Sequence, residues 1–357
     1  MSDLIYLNAR VRAMWGDLLS RNDYARLLAL PDLQAVAADL REGPYGHAVD
    51  SAAGMVTEAA RIDEGLRRNV SETFARLHAI SAGDCREAVE ILLGFWDVQA
   101  VKTVLRGKNA RLSAGEILPA LVPAGAHDEA ALEEMCRQPD LRAVVDLLAT
   151  WRDPFARPLR RALAEYREPK DLFLLEAALD GFWLGEARRR LAEIGGRGPA
   201  GTGQAPLALF LSFAADRTNL LTALTAVEEG ITLSDRRRYF LPGGRIFGAE
   251  DFDALLSCRT VPEVLGMADR SSFAGAFRDL PAPSGGIPLL SVVERRLERV
   301  LLRAVRALMR IDPLSLATPL AYLINKGREV ANIRMIVRGR ASDIPESDLM
   351  DLLIVDY

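Results

Sequence analysis

Asp97-Val-Gln-Ala-Val-Lys-Thr-Val-Leu-Arg-Gly-Lys108 decides the fold, because the chain carries it in three versions. It returns as Asp216-Arg-Thr-Asn-Leu-Leu-Thr-Ala-Leu-Thr-Ala-Val227 and as Glu329-Val-Ala-Asn-Ile-Arg-Met-Ile-Val-Arg-Gly-Arg340. The copies start 216 − 97 = 119 and 329 − 216 = 113 residues apart, a period of about 115. In each copy apolar residues stand four, seven and eight places after the acid: Val101, Val104 and Leu105; Leu220, Ala223 and Leu224; Ile333, Ile336 and Val337. That spacing is one face of an α-helix. Three places in lies a small or amide residue, Ala100, Asn219 or Asn332. Lys102 with Arg106, and Arg334 with Arg338, form i, i+4 basic pairs on the polar face of the first and third copies. The second copy has Leu221 and Thr225 there, so a shared basic role cannot extend to it.

A candidate helix precedes each copy, over about Val56–His78, Leu172–Ile194 and Leu290–Arg310. Short helical stretches come before these, and Asp23–Val36, Glu129–Val144 and Asp251–Val264 resemble one another more loosely. Val122-Pro-Ala-Gly125 and Leu241-Pro-Gly-Gly-Arg245 punctuate the boundaries. A Gly-rich hinge at 195–203 and a Pro/Gly loop at 281–288 add slack. The period exceeds that of TPR, ankyrin or HEAT arrays, which run at roughly 33 to 47 residues. The expectation is an all-α chain of three similar domains, 1–110, 111–230 and 231–357, the last with a C-terminal tail.

Composition agrees. Half of the 357 residues are hydrophobic and only 6% aromatic, and β-branched runs suited to buried strands are nearly absent. A net charge of −4 with interleaved signs gives no global attraction to nucleic acid or anionic lipid. Cys85, Cys136 and Cys258 are far apart and form no CxxC pair, so reduced thiols are expected rather than a disulfide framework or zinc ribbon. Met1–Arg12 has no continuous apolar core, and no run of about 18–20 apolar residues is evident, so neither a signal peptide nor a membrane span is expected.

Catalysis requires a constellation, and none is found. His47, His78 and His127 lack metal-ligand spacing. Gly196 to Gly201 spells a formal G-x-G-x-x-G, but it follows a helix, and Pro199 removes an N–H that a phosphate cradle would use. No GxxxxGK[ST] occurs. Glu176 and Asp180 lack the Glu-x-x-His partners of a di-metal site. Arg295, Arg299, Arg303 and Arg306 line one face of a helix that Glu294 and Glu298 dilute, which reads as a surface or subunit-contact helix. No catalytic residue, cofactor or metal ligand is assigned.

Tyr6-Leu-Asn-Ala-Arg-Val-Arg12 resembles the opening of the C-subunit family of V-type/A-type rotary ATPases (ATP synthases), counterpart of the d-subunit of the eukaryotic V-ATPase. Arg86-Glu-Ala-Val-Glu-Ile-Leu-Leu93 followed by the Asp97 motif is similar to the family's paired helices. Phe240-Leu-Pro-Gly-Gly-Arg245 and Asp312-Pro-Leu-Ser-Leu316, with Tyr322 through Arg340 following, resemble its third unit. The resemblance implies three helical domains around a pseudo-threefold axis, forming a funnel. It implies a non-catalytic central-stalk component, one copy per complex, that receives the rotor axle and sits on the membrane's proteolipid ring. Such a component would be cytoplasmic, peripheral to the membrane, and without nucleic acid. Lys102, Arg106, Arg334 and Arg338 are then expected to be solvent-accessible partner contacts, the alternative being ion pairs that steady neighbouring helices. An all-helical protein-binding scaffold unrelated to rotary motors explains composition and repeats equally well; threefold closure would separate the two, since scaffolds more often stack linearly.

Overall fold

A computed structural model of the chain describes residues 2–167, 172–196, 204–230, 238–269, 273, 275–277, 289–341 and 344–355. The Gly-rich hinge beyond residue 196 and the 281–288 loop lie outside the described residues. The regular structure is helical, with no strand among the described residues. In chain order the helices are α1 (Ser2–Trp15), α2 (Arg21–Ala29), α3 (Leu33–Glu42), α4 (Gly46–Ser51), α5 (Glu58–Ile80) and α6 (Gly83–Asn109). Then come α7 (Ala114–Ile117), running into a 3-10 turn at Leu118–Ala120, α8 (Glu129–Arg137), α9 (Leu141–Thr150), α10 (Ala156–Leu163), α11 (Leu172–Gly196) and α12 (Ala205–Glu228). The last are α13 (Ala249–Leu255), α14 (Val261–Asp269), α15 (Leu289–Ile311), α16 (Ala317–Ala341) and α17 (Glu346–Leu352). The repeat is visible in this order: short helices, then a long pair, α5–α6, α11–α12 and α15–α16.

Local chemistry sets the boundaries. The short helices open on side-chain caps that satisfy free N–H groups. Ser20 and Asp23 form a capping box at α2. Asp32 accepts from Ala35 N at α3, Asp140 from Ala143 N at α9, and Thr260 from Glu263 N at α14. Arg111 and Arg152 take left-handed φ angles of 59° and 57°, turning the chain out of α6 and α9. At those ends Leu112 N bonds Gly107 O and Asp153 N bonds Leu148 O, closing the last turns in the Schellman manner.

The chain packs as two compact units, one of Met1–Arg137 with Asp312–Tyr357, the other of Gln138–Ile311. In the first, Leu27, Leu40, Leu66, Val70, Phe74, Leu77, Val101 and Val104 are fully or almost fully buried. Each such aliphatic or aromatic side chain contributes roughly 1.5–3 kcal/mol on leaving water. In the second, Leu220, Ala223 and Leu224 of α12 join Leu255, Val264, Phe273, Val293 and Leu297. The helix of the third repeat motif, α16, thus belongs to the unit that holds the N-terminus, while its partner α15 belongs to the other.

α12 is long and apolar enough, by length and composition, to cross a bilayer. Its apolar residues are used in the core of the second unit, and Asp216 and Asn219 at mid-helix are buried with protein hydrogen-bond partners. A helix buried on several sides needs continuous apolar sequence for the same reason a lipid-facing one does.

Candidate functional site

The shared spacing of the three motifs resolves into three junctions, each built on the acid that opens the motif. Asp97 accepts hydrogen bonds from Ala126 N at 2.7 Å and His127 N at 3.1 Å, with His127 Nδ1 at 3.2 Å. Asp216 accepts from Arg245 N at 2.7 Å, Ile246 N at 3.2 Å and Phe247 N at 3.0 Å. In both, the bonded loop lies 29 to 31 residues downstream and leads directly into a short helix, α8 or α13. A glycine 28 residues after the acid lets the backbone come this close: a Cβ on Gly125 or Gly244 would lie 2.0 Å from the carboxylate.

The third acid finds the same kind of partner elsewhere in the chain. Glu329 accepts from Leu19 N, which leads into α2, the first short helix of the first copy. It also accepts from Tyr45 Oη and, at 2.8 Å, from Lys326 Nζ, which in turn donates to Tyr45 Oη at 3.0 Å. All three side chains are buried.

Three further positions recur. Eleven residues after the acid, Lys108 donates to Cys136 O near the end of α8, and Arg340 donates to Leu28 O near the end of α2. Ten after it, Gly107 lies against Ile117, and Gly339 against Leu349, where a Cβ would come within 2.6 Å of either side chain. Three after it, Asn219 clasps Leu241 through both its N–H and C=O at 2.9 Å. Asn332 clasps Ile354 in the same way at 3.0 and 3.3 Å. Ala100 has no side-chain amide to do this, and Val227 has no cation at the position of Lys108.

Electrostatics follow burial. Burial pushes the Asp216 carboxyl above its ordinary range, against the pull of three backbone N–H groups and Arg188. Arg188 is itself lowered by burial, with Asp216 opposing. Cys136 is pushed up to about 11 by burial, which leaves an unreactive thiol.

The four basic residues expected at the surface divide. Arg106 and Arg338 are exposed. Lys102 is buried, and Arg334 is only 12% exposed, with Nε 3.3 Å from Asp63 of α5. Burial lowers the Arg334 pKa, and the carboxylate of Asp63 works against that. The expectation of solvent access is therefore corrected for Lys102 and Arg334. The physical reason is that α6 and α16 are packed helices: α5 lies against both and brings Asp63 to Arg334, so part of each basic face is withheld from water. Sequence reasoning weighed His127 only as a metal ligand and gave Lys108 and Arg340 no role, although the last two closed the quoted motifs with a cation in copies one and three.

Of the other candidates, His47 is exposed, and His78 lies 3.1 Å from Glu90. Among the described residues, no group of three or more His, Cys, Asp and Glu side chains could hold a metal ion. The formal G-x-G-x-x-G extends past the described residues.

The fold and junctions define a class: an all-helical repeat protein whose copies are joined by buried acids bonded to backbone. The family model described as ATP synthase (C/AC39) subunit matches residues 7–352, and the chain belongs to that family. It is 27% identical to the C-subunit of the A-type ATP synthase of Methanosarcina acetivorans, over 99% of this chain and 93% of that protein. It is 28% identical to the protein of the same description from Halobacterium salinarum, over 98% of this chain and 97% of the relative.

Proposed function

We propose that the chain is the C-subunit of an A-type rotary ATPase, a non-catalytic socket of the central stalk that couples the rotor axle to the proteolipid ring. It is one copy per complex and is held at the cytoplasmic face of the membrane through its partners. Its three repeat domains, 1–110, 111–230 and 231–357, are arranged in pseudo-threefold fashion as a funnel.

The observation that carries this reading is the third junction. Glu329 and Arg340 meet the start and end of α2 as Asp97 and Lys108 meet the start and end of α8. The last copy therefore joins the first by the rule that joins the first to the second. Head-to-tail succession that returns to its beginning supports a closed cycle and weighs against a linear scaffold, whose end copies would be left with capping surfaces. A closed, internally bonded body suits a part that transmits torque without chemistry. Arg106 and Arg338, exposed beside the first and third junctions, are the proposed contacts with rotor partners.

The test is deletion and reconstitution. Removing the chain leaves ATP hydrolysis by the soluble head and abolishes ATP-driven ion pumping by membranes; adding the purified protein restores pumping. Pumping that survives deletion refutes the coupler reading. Arg106→Glu with Arg338→Glu should weaken reassembly without altering the circular dichroism of the free protein.

A further inference from the structure

α15, Leu289–Ile311, carries six arginines and two glutamates. Its buried residues, Val293, Leu297, Leu301, Leu302 and Val305, turn into the second unit. At about 100° per residue, all six arginines, 295, 296, 299, 303, 306 and 310, fall within about 60° of the opposite direction. Neither glutamate does. Glu294 lies about 160° from the centre of the arginine face, on the packed side of the helix, where Arg217 Nη2 donates to it at 2.8 Å, and Glu298 lies about 120° from that centre. The sequence reading, in which these acids dilute the basic stripe, is thereby corrected: the only charged side chains on the outer face are arginines.

Arg295, Arg299 and Arg306 are engaged by other groups of the chain. Arg296, Arg303 and Arg310 have no ion pair among the described residues, and Arg303 and Arg310 are exposed. These three stand at i, i+7 and i+14, a straight seam about 21 Å long at 1.5 Å per residue. The helix gains nothing from this arrangement. Surface helices ordinarily alternate signs at i, i+4, whereas 295–299, 299–303 and 306–310 are like-charge pairs at that spacing, and 296–299 and 303–306 at i, i+3.

From this we infer that the outer face of α15 docks an acidic helical segment of a partner protein, carboxylates spaced one heptad apart along it. Guanidinium is the group that pairs bidentately with carboxylate. The seam is one side chain wide and straight, matching a rod rather than a plane. A membrane partner would call for large apolar side chains among the cations, and the one at the centre of this face, Val292, is partly buried. The chain's net charge of −4 opposes both anionic lipid and nucleic acid at longer range, while leaving a local contact with a single acidic helix open. The inference does not rest on the coupler reading.

The experiment titrates the full-length chain against a labelled 21-residue alanine-based helical peptide bearing glutamates along one face, read by fluorescence anisotropy at low salt. The expected result is saturable binding that weakens with salt and is absent for the glutamine version of the peptide. Arg296→Glu, Arg303→Glu and Arg310→Glu together should weaken it by roughly 30-fold, as three exposed ion pairs would. The same variant should gain binding to the lysine version of the peptide. Should it not fold, the triple Gln variant serves, with a loss of roughly tenfold or more. Unchanged binding in a folded variant overturns the proposal. So does wild-type binding to phosphatidylserine vesicles or to a DNA duplex as tight as to the peptide. None of these outcomes bears on the pumping experiment, so the two readings fail separately.

Discussion

Asp216→Ala should destabilise the second unit by about 3 kcal/mol. The carboxylate is 1% exposed and receives three backbone N–H groups. Each stranded donor costs roughly 1–3 kcal/mol when buried. Arg245 is exposed and Ile246 half-buried, so their N–H groups can turn to water and recover most of that. Phe247 N is buried and cannot. Its loss, partial losses at the other two, and a loop no longer tied to α12 give the range of about 2–5 kcal/mol; relief from burying a charge keeps it from going higher. Urea unfolding followed by circular dichroism should show a midpoint lowered by about 1–1.5 M at m values of about 2–3 kcal/mol/M. Asp146→Ala, at a surface ion pair with Arg160, is the control and should lose under about 0.5 kcal/mol. The pH course has a definite sign. Because burial raises the Asp216 pKa, the folded state holds its proton more tightly than the unfolded state. Stability relative to Asp216→Asn is therefore greatest at the acid end and falls as pH rises above the ordinary aspartate value near 3.9, levelling off beyond the raised pKa. A loss under about 1 kcal/mol for Asp216→Ala, or a rise with pH in that comparison, refutes the view of this residue as a buried junction acid.

Glu329→Gln leaves Lys326 buried without its carboxylate and should cost about 3 kcal/mol, with hydrogen exchange at the Leu19 amide speeding up selectively. Gly107→Ala places a methyl against Ile117, so it should destabilise alone and be partly rescued by Ile117→Ala, with a coupling of about 1 kcal/mol in the double-mutant cycle. At Glu64, burial works to raise the pKa, and hydrogen bonds from Arg67 and Arg68 outweigh it and hold the carboxyl low. Its stabilisation is complete above the unfolded value near 4.5 and lost as pH falls through the lower folded pKa. Unfolding free energies of wild type and Glu64→Gln should accordingly differ at pH 7 and converge as pH falls below 4.5 and through the lowered folded pKa.

The helices were legible because their evidence is local. The 3.6-residue period found α11 and α15 to within two residues at either end, and the acid–apolar spacing found α6, α12 and α16 together. The correspondence of Asp32 and Asp140 was legible as a loose match, and the structure makes both of them N-caps. What the sequence withheld was every fact that depends on what covers a helix. Lys102 and Arg334 share the i, i+4 pattern of Arg106 and Arg338, yet burial separates them, because packing neighbours such as Asp63 of α5 at Arg334 leave no trace in the periodicity. The purpose of the acid was also hidden. Its partners are backbone N–H groups, which every residue but proline carries, so the positions it bonds left no signature apart from Gly125 and Gly244, read only as turn punctuation.

A chain that repeats one design three times risks joining the wrong copies, since apolar faces of similar shape fit one another in several ways. A buried carboxylate is less forgiving, because without aligned donors its desolvation goes uncompensated. Each junction here adds a different auxiliary to the shared scheme. Asp97 has the imidazole of His127, Asp216 the guanidinium of Arg188 acting at longer range, and Glu329 the Lys326–Tyr45 pair. Glutamate replaces aspartate only at the third, where the donor comes from a distant part of the chain and Tyr45 has to be reached as well. Moving α2 into the place of α8 would leave Asp97 without its imidazole, and the reverse exchange would leave Lys326 beside a loop that brings no tyrosine. The common acid thus makes the copies joinable, while the auxiliaries make the joints unequal, which is how similar sequences can assemble in one order.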